Sequence, residues 1–197
     1  MEDTYRSIAK PSTGIYKEKG SKFLSFAYPV DSEEEIQETI NALKKQYYDA
    51  RHHCYAYILG KDMETYRVND DGEPHHSAGD PILGQIRSHE LTQVLVVVVR
   101  YFGGTKLGVG GLVQAYKTAA SEAILAADIL EKTIMIPIEF TFDYLSMDEI
   151  MRTIKRYNLN IIIQEFDNDC RIKLECRESL LAEVEAVLSD ISSIQFK

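Results

Sequence analysis

The chain has 197 residues, 45% hydrophobic and 27% charged, with 11 Gly, 5 Pro and no low-complexity tract, a composition that excludes disordered and fibrous proteins. The longest apolar run, Val94 to Val99, is far too short to span a bilayer, the start MEDTYRSIAK has no signal-peptide pattern, and Cys54, Cys170 and Cys176 are too few for a disulfide framework, so a reducing cytoplasm is expected. Lys plus Arg number 22 against 31 Asp plus Glu, a net charge of −9; broad duplex-DNA binding, which needs a positive field, is not expected.

Residues 14–30 read as two strands turning at Lys19-Gly20. Ser32 and Glu35 have capping-box spacing, and Ile36, Ile40, Leu43 and Tyr47 form one apolar stripe of the helix that follows. A strand is predicted over 53–59, then a polar loop over 60–80 dense in turn residues. Asp80-Pro81 reads as an N-cap with Pro at the first helical position, opening a short helix through Ile86. Val94 to Val99 has no polar alternation and predicts a central strand covered on both faces. After a Gly-rich turn, an Ala-rich helix is expected to run to about Leu130.

The rhythm changes near Thr133. Residues 134–143 alternate; a helix over 146–157 directs Met147, Ile150, Met151 and Ile154 inward. Strands over 159–166 and 169–177 join at Asp167-Asn168, and a helix over 178–190 and a strand near Ile194 follow. This β-α-β-β-α-β order is that of a ferredoxin-like unit. The expected fold class is therefore α+β, with domains at 1–132 and 133–197.

The segment from Arg100 to Gly111 carries the clearest chemical signal. Gly103, Gly104, Gly108, Gly110 and Gly111 lie between a strand and a helix, where free N–H groups can meet an anion. From Leu91 to Ser121 there is no Asp or Glu, whereas Arg100, Lys106 and Lys117 are present. The spacing is neither a P-loop nor a dinucleotide fingerprint. A tight turn without a ligand explains the same glycines.

A second cluster is Arg51-His52-His53-Cys54 with Asp70-Asp71-Gly72-Glu73-Pro74-His75-His76 and Asp80. Adjacent histidines on a strand face opposite ways, and no His-x-x-x-His or Cys-x-x-Cys spacing occurs, so neither a metal nor a cofactor is expected. Asp71, Glu73 and His53 are acid/base candidates, although a solvated turn also accounts for the acids. Catalytic residues are not assigned.

Together these segments resemble the YigZ/IMPACT family, specifically its bacterial two-domain members. The motifs carrying the resemblance are Arg51 to Cys54 with Tyr55 and Tyr57; Asp70 to Pro74 with Ala78-Gly79 and Pro81; and Val97 through Gly104, Leu107-Gly108, Gly110 to Leu112 and Ala115-Tyr116. The resemblance implies a first domain of the β-α type found in ribosomal proteins, similar to elongation factor G domain four, and a second similar to domain five. Eukaryotic relatives are translation regulators with a further partner-binding domain not found here. It also implies a family surface at His53, Asp70, Asp71, Glu73 and Pro74; His75-His76-Ser77 departs from the usual small residue, Gly and Thr.

The expected function is a non-enzymatic binding protein connected with translation, recognising RNA, the ribosome or a translation factor. Arg100, Gly103, Gly104, Lys106, Gly108, Gly110 and Gly111 form the expected anion or nucleic-acid surface. Arg171, Lys173 and Arg177 are a second basic row, equally explained as a solvated sheet face. The alternatives are an enzyme acting on a small phosphorylated or anionic substrate, and a purely protein–protein module.

Overall fold

The computed structural model describes residues 3–166 and 170–197. The chain separates into two compact units, Tyr5–Lys132 and Thr133–Lys197, the second also holding Asp3 and Thr4.

The first unit contains β1 (Thr4–Ile8), β2 (Ser12–Glu18), β3 (Ser21–Pro29), α1 (Glu33–Gln46), β4 (His52–Leu59), β5 (Thr65–Asn69), α2 (Gly79–Ser88), β6 (Val94–Tyr101), α3 (Gly108–Leu125) and β7 (Ile129–Thr133). β2 and β3 meet at a two-residue turn in which Lys19 (φ 45°) and Gly20 (φ 81°) are both left-handed, as a hairpin twist requires. The five-stranded sheet runs β2-β3-β6-β4-β5.

β6 lies at its centre. Val94, Val96 and Val98 pack into one cluster with α2 and α3, and Leu95, Val97 and Val99 into another with α1. Two covered faces explain the missing polar alternation. Ser32 caps α1, its Oγ accepting from the Glu35 N–H at 3.2 Å, but Glu35 returns a carboxylate to the Asp31 N–H rather than to Ser32.

Several predicted boundaries change. Residues 60–80 contain β5, and β1 pairs with β7 in a separate ribbon. α3 ends at Leu125, five residues short of the expected Leu130, because the chain turns extended to form β7. α2 begins at Gly79, which places Asp80 inside the helix rather than at its cap. The capping oxygen comes instead from Asp70, whose Oδ1 accepts from the Ala78 and Gly79 N–H groups at 3.0 and 2.8 Å.

The second unit contains β8 (Met135–Phe142), α4 (Met147–Arg156), β9 (Asn160–Phe166), β10 (Cys170–Arg177), α5 (Leu181–Ser189) and β11 (Gln195–Phe196), with single 3-10 turns before α4 and α5. The sheet order is β11-β8-β10-β9, and the described pairs are antiparallel. Cys170, Ile172, Leu174 and Cys176 are buried with Ile138, Phe140 and Phe142 against Ile150, Ile154, Val184 and Leu188. Met151, expected inward, is 37% exposed. The turn expected at Asp167-Asn168 lies outside the described residues.

Candidate functional site

The two sequence clusters meet in the first unit. Strand register pairs Arg100 on β6 with both Phe23 on β3 and His52 on β4, so alternation puts all three on the face that α3 covers. The loop between β5 and α2 brings Glu73 over the same point. Glu73 Oε1 accepts from Arg100 Nη1 at 2.6 Å and from the Tyr116 hydroxyl of α3 at 2.9 Å. The Glu73 and Arg100 side chains are only 4% and 7% exposed, so each charge requires the other.

His52 lies on this face as well. Its Nδ1 donates to the Asp71 carbonyl at 2.8 Å, and its Nε2 is 4.0 Å from Glu73 Oε1. His53 points to the opposite face, as strand geometry requires. Burial lowers its pKa against the opposing pull of Asp71, which favours neutral imidazole. Cys54 is fully buried, with Sγ 3.0 Å from the Asp70 carbonyl and 3.3 Å from the Tyr116 hydroxyl. Burial pushes the Cys54 thiol and the Tyr116 phenol far above their usual pKa values, leaving the thiol protonated and a poor nucleophile.

Asp70 and Asp71 shape the loop. Burial raises the Asp70 pKa, but the N–H groups of Gly79, His76 and Ala78 outweigh it and hold the carboxyl below its usual value. Asp71 adopts φ 41° and accepts the His53 N–H at 2.6 Å through Oδ2. Ser77 is fully buried and its hydroxyl donates to the Pro74 carbonyl, while His76 Nδ1 contacts Asp80. Pro74, next to Glu73, lines an adjoining cleft. Among the described residues, no group of three or more His, Cys, Asp or Glu side chains is arranged to hold a metal ion.

The five loop glycines have different roles. A Cβ on Gly103 would lie 1.9 Å from the Gly20 carbonyl carbon, so close packing against the β2–β3 turn requires glycine there. Gly104 and Gly108 have φ of 87° and 72°, a backbone that favours glycine. Gly111 would bring a Cβ to 3.1 Å from Leu107, whereas a Cβ on Gly110 would meet nothing within 4 Å. Among the described residues, no side-chain hydrogen bond is given to the start of α3, whose N-cap is Leu107, and its first turn contains no acid.

The loop is open. It borders a cleft of about 360 Å³ whose lining includes Glu73, Pro74, Arg100, Phe102, Lys106 and Val109. Lys106 is exposed and, among the described residues, has no ion-pair partner. Phe102 and Val109 are 53% and 56% exposed. Phe102 falls within the motif Val97 through Gly104 that carries the family resemblance but is not among the expected site residues; an aromatic immediately before a Gly-Gly pair is the available signal. Arg171 on β10 is bound by Glu139 and Glu165, and Arg177 by Asp3, so these two bases of the second row are neutralised within the chain.

The Impact N-terminal domain matches residues 19–124. The IMPACT family member YvyE of Bacillus subtilis (strain 168) is 38% identical over 130 residues, 66% of this chain and 60% of that protein. The IMPACT family member YigZ of Escherichia coli (strain K12) is 30% identical over 186 residues, covering 93% of this chain and 91% of its own length. A crystal structure of a protein described as hypothetical aligns with a TM-score of 0.75 at 28% identity, over 100% of this chain and 97% of that one. The motifs at Arg51, Asp70 and Arg100 all fall within the matched domain, and the chain belongs to the IMPACT family.

Proposed function

We propose that the protein is a non-enzymatic binding protein connected with translation, and that its Gly103–Gly111 surface recognises RNA, the ribosome or a translation factor. The observation carrying this reading is the uncapped start of α3, which opens with Lys106 onto the cleft in a segment without acids. Free N–H groups and a lone cation favour an anion such as phosphate. Family membership supports the translation connection through the resemblance to eukaryotic regulators. The same reading takes residues 1–132 and 133–197 as domains, the first similar to elongation factor G domain four and the second ferredoxin-like, in a cytoplasmic protein.

Arg100 contributes differently from Lys106. Its charge is offset by Glu73, so it shapes the floor of the cleft while Lys106 provides the accessible cation. RNA affinity measured across a salt series tests the reading. Binding is expected to weaken steeply with salt, and Lys106→Ala is expected to lower affinity and reduce the magnitude of the log–log slope by about 1. Absence of RNA and ribosome binding at low salt leaves a translation factor as the only partner in this reading.

Glu73 also favours a second reading, an enzyme acting on a small anionic substrate, because its carboxylate joins Arg100 and Tyr116 at the cleft. The buried ion pair and the strongly raised pKa of Tyr116 argue for a structural network instead. Turnover of phosphorylated small molecules that Glu73→Gln abolishes while the variant remains folded would establish the enzyme.

A further inference from the structure

The cleft pairs an anion-seeking backbone with an exposed ring. Phe102 is 53% exposed beside Lys106, and the Arg100 guanidinium lies 5.7 Å from its ring centroid. Arg100 itself is only 6% exposed, and among the described residues its Nε has no hydrogen-bond partner. An unsatisfied donor so deeply buried at the cleft floor is a polar group that calls for a partner.

Gly110 is the other unexplained feature. It lies in the first turn of α3 with ordinary negative φ, and a Cβ would meet nothing. Neither packing nor backbone geometry requires glycine, which weakens a helix relative to alanine. Gly108 and Val109 of the same turn line the cleft, and glycine at 110 adds no side chain beside them. The volume of about 360 Å³ is at the lower end of small-ligand sites, which span roughly 300–1,000 Å³, and suits one nucleotide better than a folded surface.

We infer that the cleft seats one unpaired nucleotide of a single-stranded RNA, with its phosphate at the Gly108–Gly110 backbone and Lys106 and its base stacked on Phe102. This rests on the RNA branch of the proposed function and narrows it. A paired base within an A-form duplex has no free face for Phe102, whereas an unstacked base does. The aromatic ring adds a contribution that salt does not screen.

The test uses the full chain with a short oligoribonucleotide, the same strand annealed to its complement, and a nucleoside monophosphate. The single strand is expected to bind more tightly than either alternative. Phe102→Ala should weaken single-strand binding by roughly 5- to 150-fold, leave duplex binding unchanged, and be rescued by Phe102→Trp. Gly110→Ala should also weaken binding while the melting temperature stays constant or rises. Equal affinity for strand and duplex, or an indifferent Phe102→Ala with Lys106→Ala still deleterious, overturns the stacked-nucleotide inference and leaves RNA recognition standing. Monophosphate binding as tight as that of the strand overturns the strand as ligand in favour of a free nucleotide. No RNA binding at low salt removes both the inference and its parent RNA reading.

Discussion

At the scale of single residues, the glycine loop contains two kinds of requirement. Gly103 answers to the backbone of the β2–β3 turn, while a Cβ on Gly110 would meet no atom of the described residues within 4 Å. Both look alike in sequence, because the distinction depends on a close approach between residues more than eighty positions apart. The acids around Glu73 present the same problem. Spacing marks them as a turn, but only the pairing of β6, β4 and β5 and the course of the loop after β5 bring Glu73 to Arg100. Removing the Glu73 carboxylate strands a buried guanidinium, so Glu73→Ala is expected to cost about 3–5 kcal/mol of stability. Glu73→Gln is expected to cost less, because its amide oxygen still accepts from Arg100 and Tyr116. Urea unfolding of the two variants measures the difference, and equal stability of Glu73→Ala and the parent would refute the pairing argument.

At the scale of elements, local patterns were strongest where a local bond defines the element. Ser32 caps α1 within its own turn, and the Lys19-Gly20 hairpin closes on adjacent strands. The start of α2 is different, since Asp70 reaches it across eight residues of intervening loop. β1, β5 and β7 each have only five residues, and β1 finds β7 more than a hundred positions away. No periodicity within such a strand names its partner.

Acid sensitivity belongs to these anchoring contacts. Asp3 is held at a pKa of about 2, first by its hydrogen bond from Arg177 and then by Ser179, and Asp70 is lowered by the N–H groups it caps. A carboxyl with a depressed folded-state pKa contributes fully above its unfolded value and loses that contribution as pH falls through the folded one. Stability is therefore expected to decline from about pH 4 toward pH 2. Asp3→Asn and Asp70→Asn are each expected to reduce that decline. Chemical denaturation at successive pH values is the measurement, and a slope unchanged in both variants would contradict the assignment.

At the scale of the whole molecule, the two units have separate cores. Phe140, fully buried on β8, is expected to cost about 3–5 kcal/mol on truncation to alanine. Native-state hydrogen exchange should report that loss in β8 to β11 while β6 keeps its protection, if the units unfold separately. Equal loss in β6 would make them one cooperative body. Among the described residues, no helix is long and apolar enough to cross a membrane, and the charge is −4 over residues 1–132 and −5 over the remainder.

By itself the sequence determined the continuous apolar run of the central strand, the alternation of β8 and β10, the cap of α1 and the acid-free stretch around the glycines. These are properties of residue order, read over one or two turns or along one strand. Tertiary structure alone decided that Glu73 neutralises Arg100, that Asp70 caps α2 and that Lys106 and Phe102 share an open cleft. Each depends on long-range strand pairing or on the course of a loop, which places distant backbone and side chains within hydrogen-bond reach. The net charge of −9 is a sum over the chain; the fold places an exposed cation, Lys106, and an exposed ring, Phe102, on one cleft.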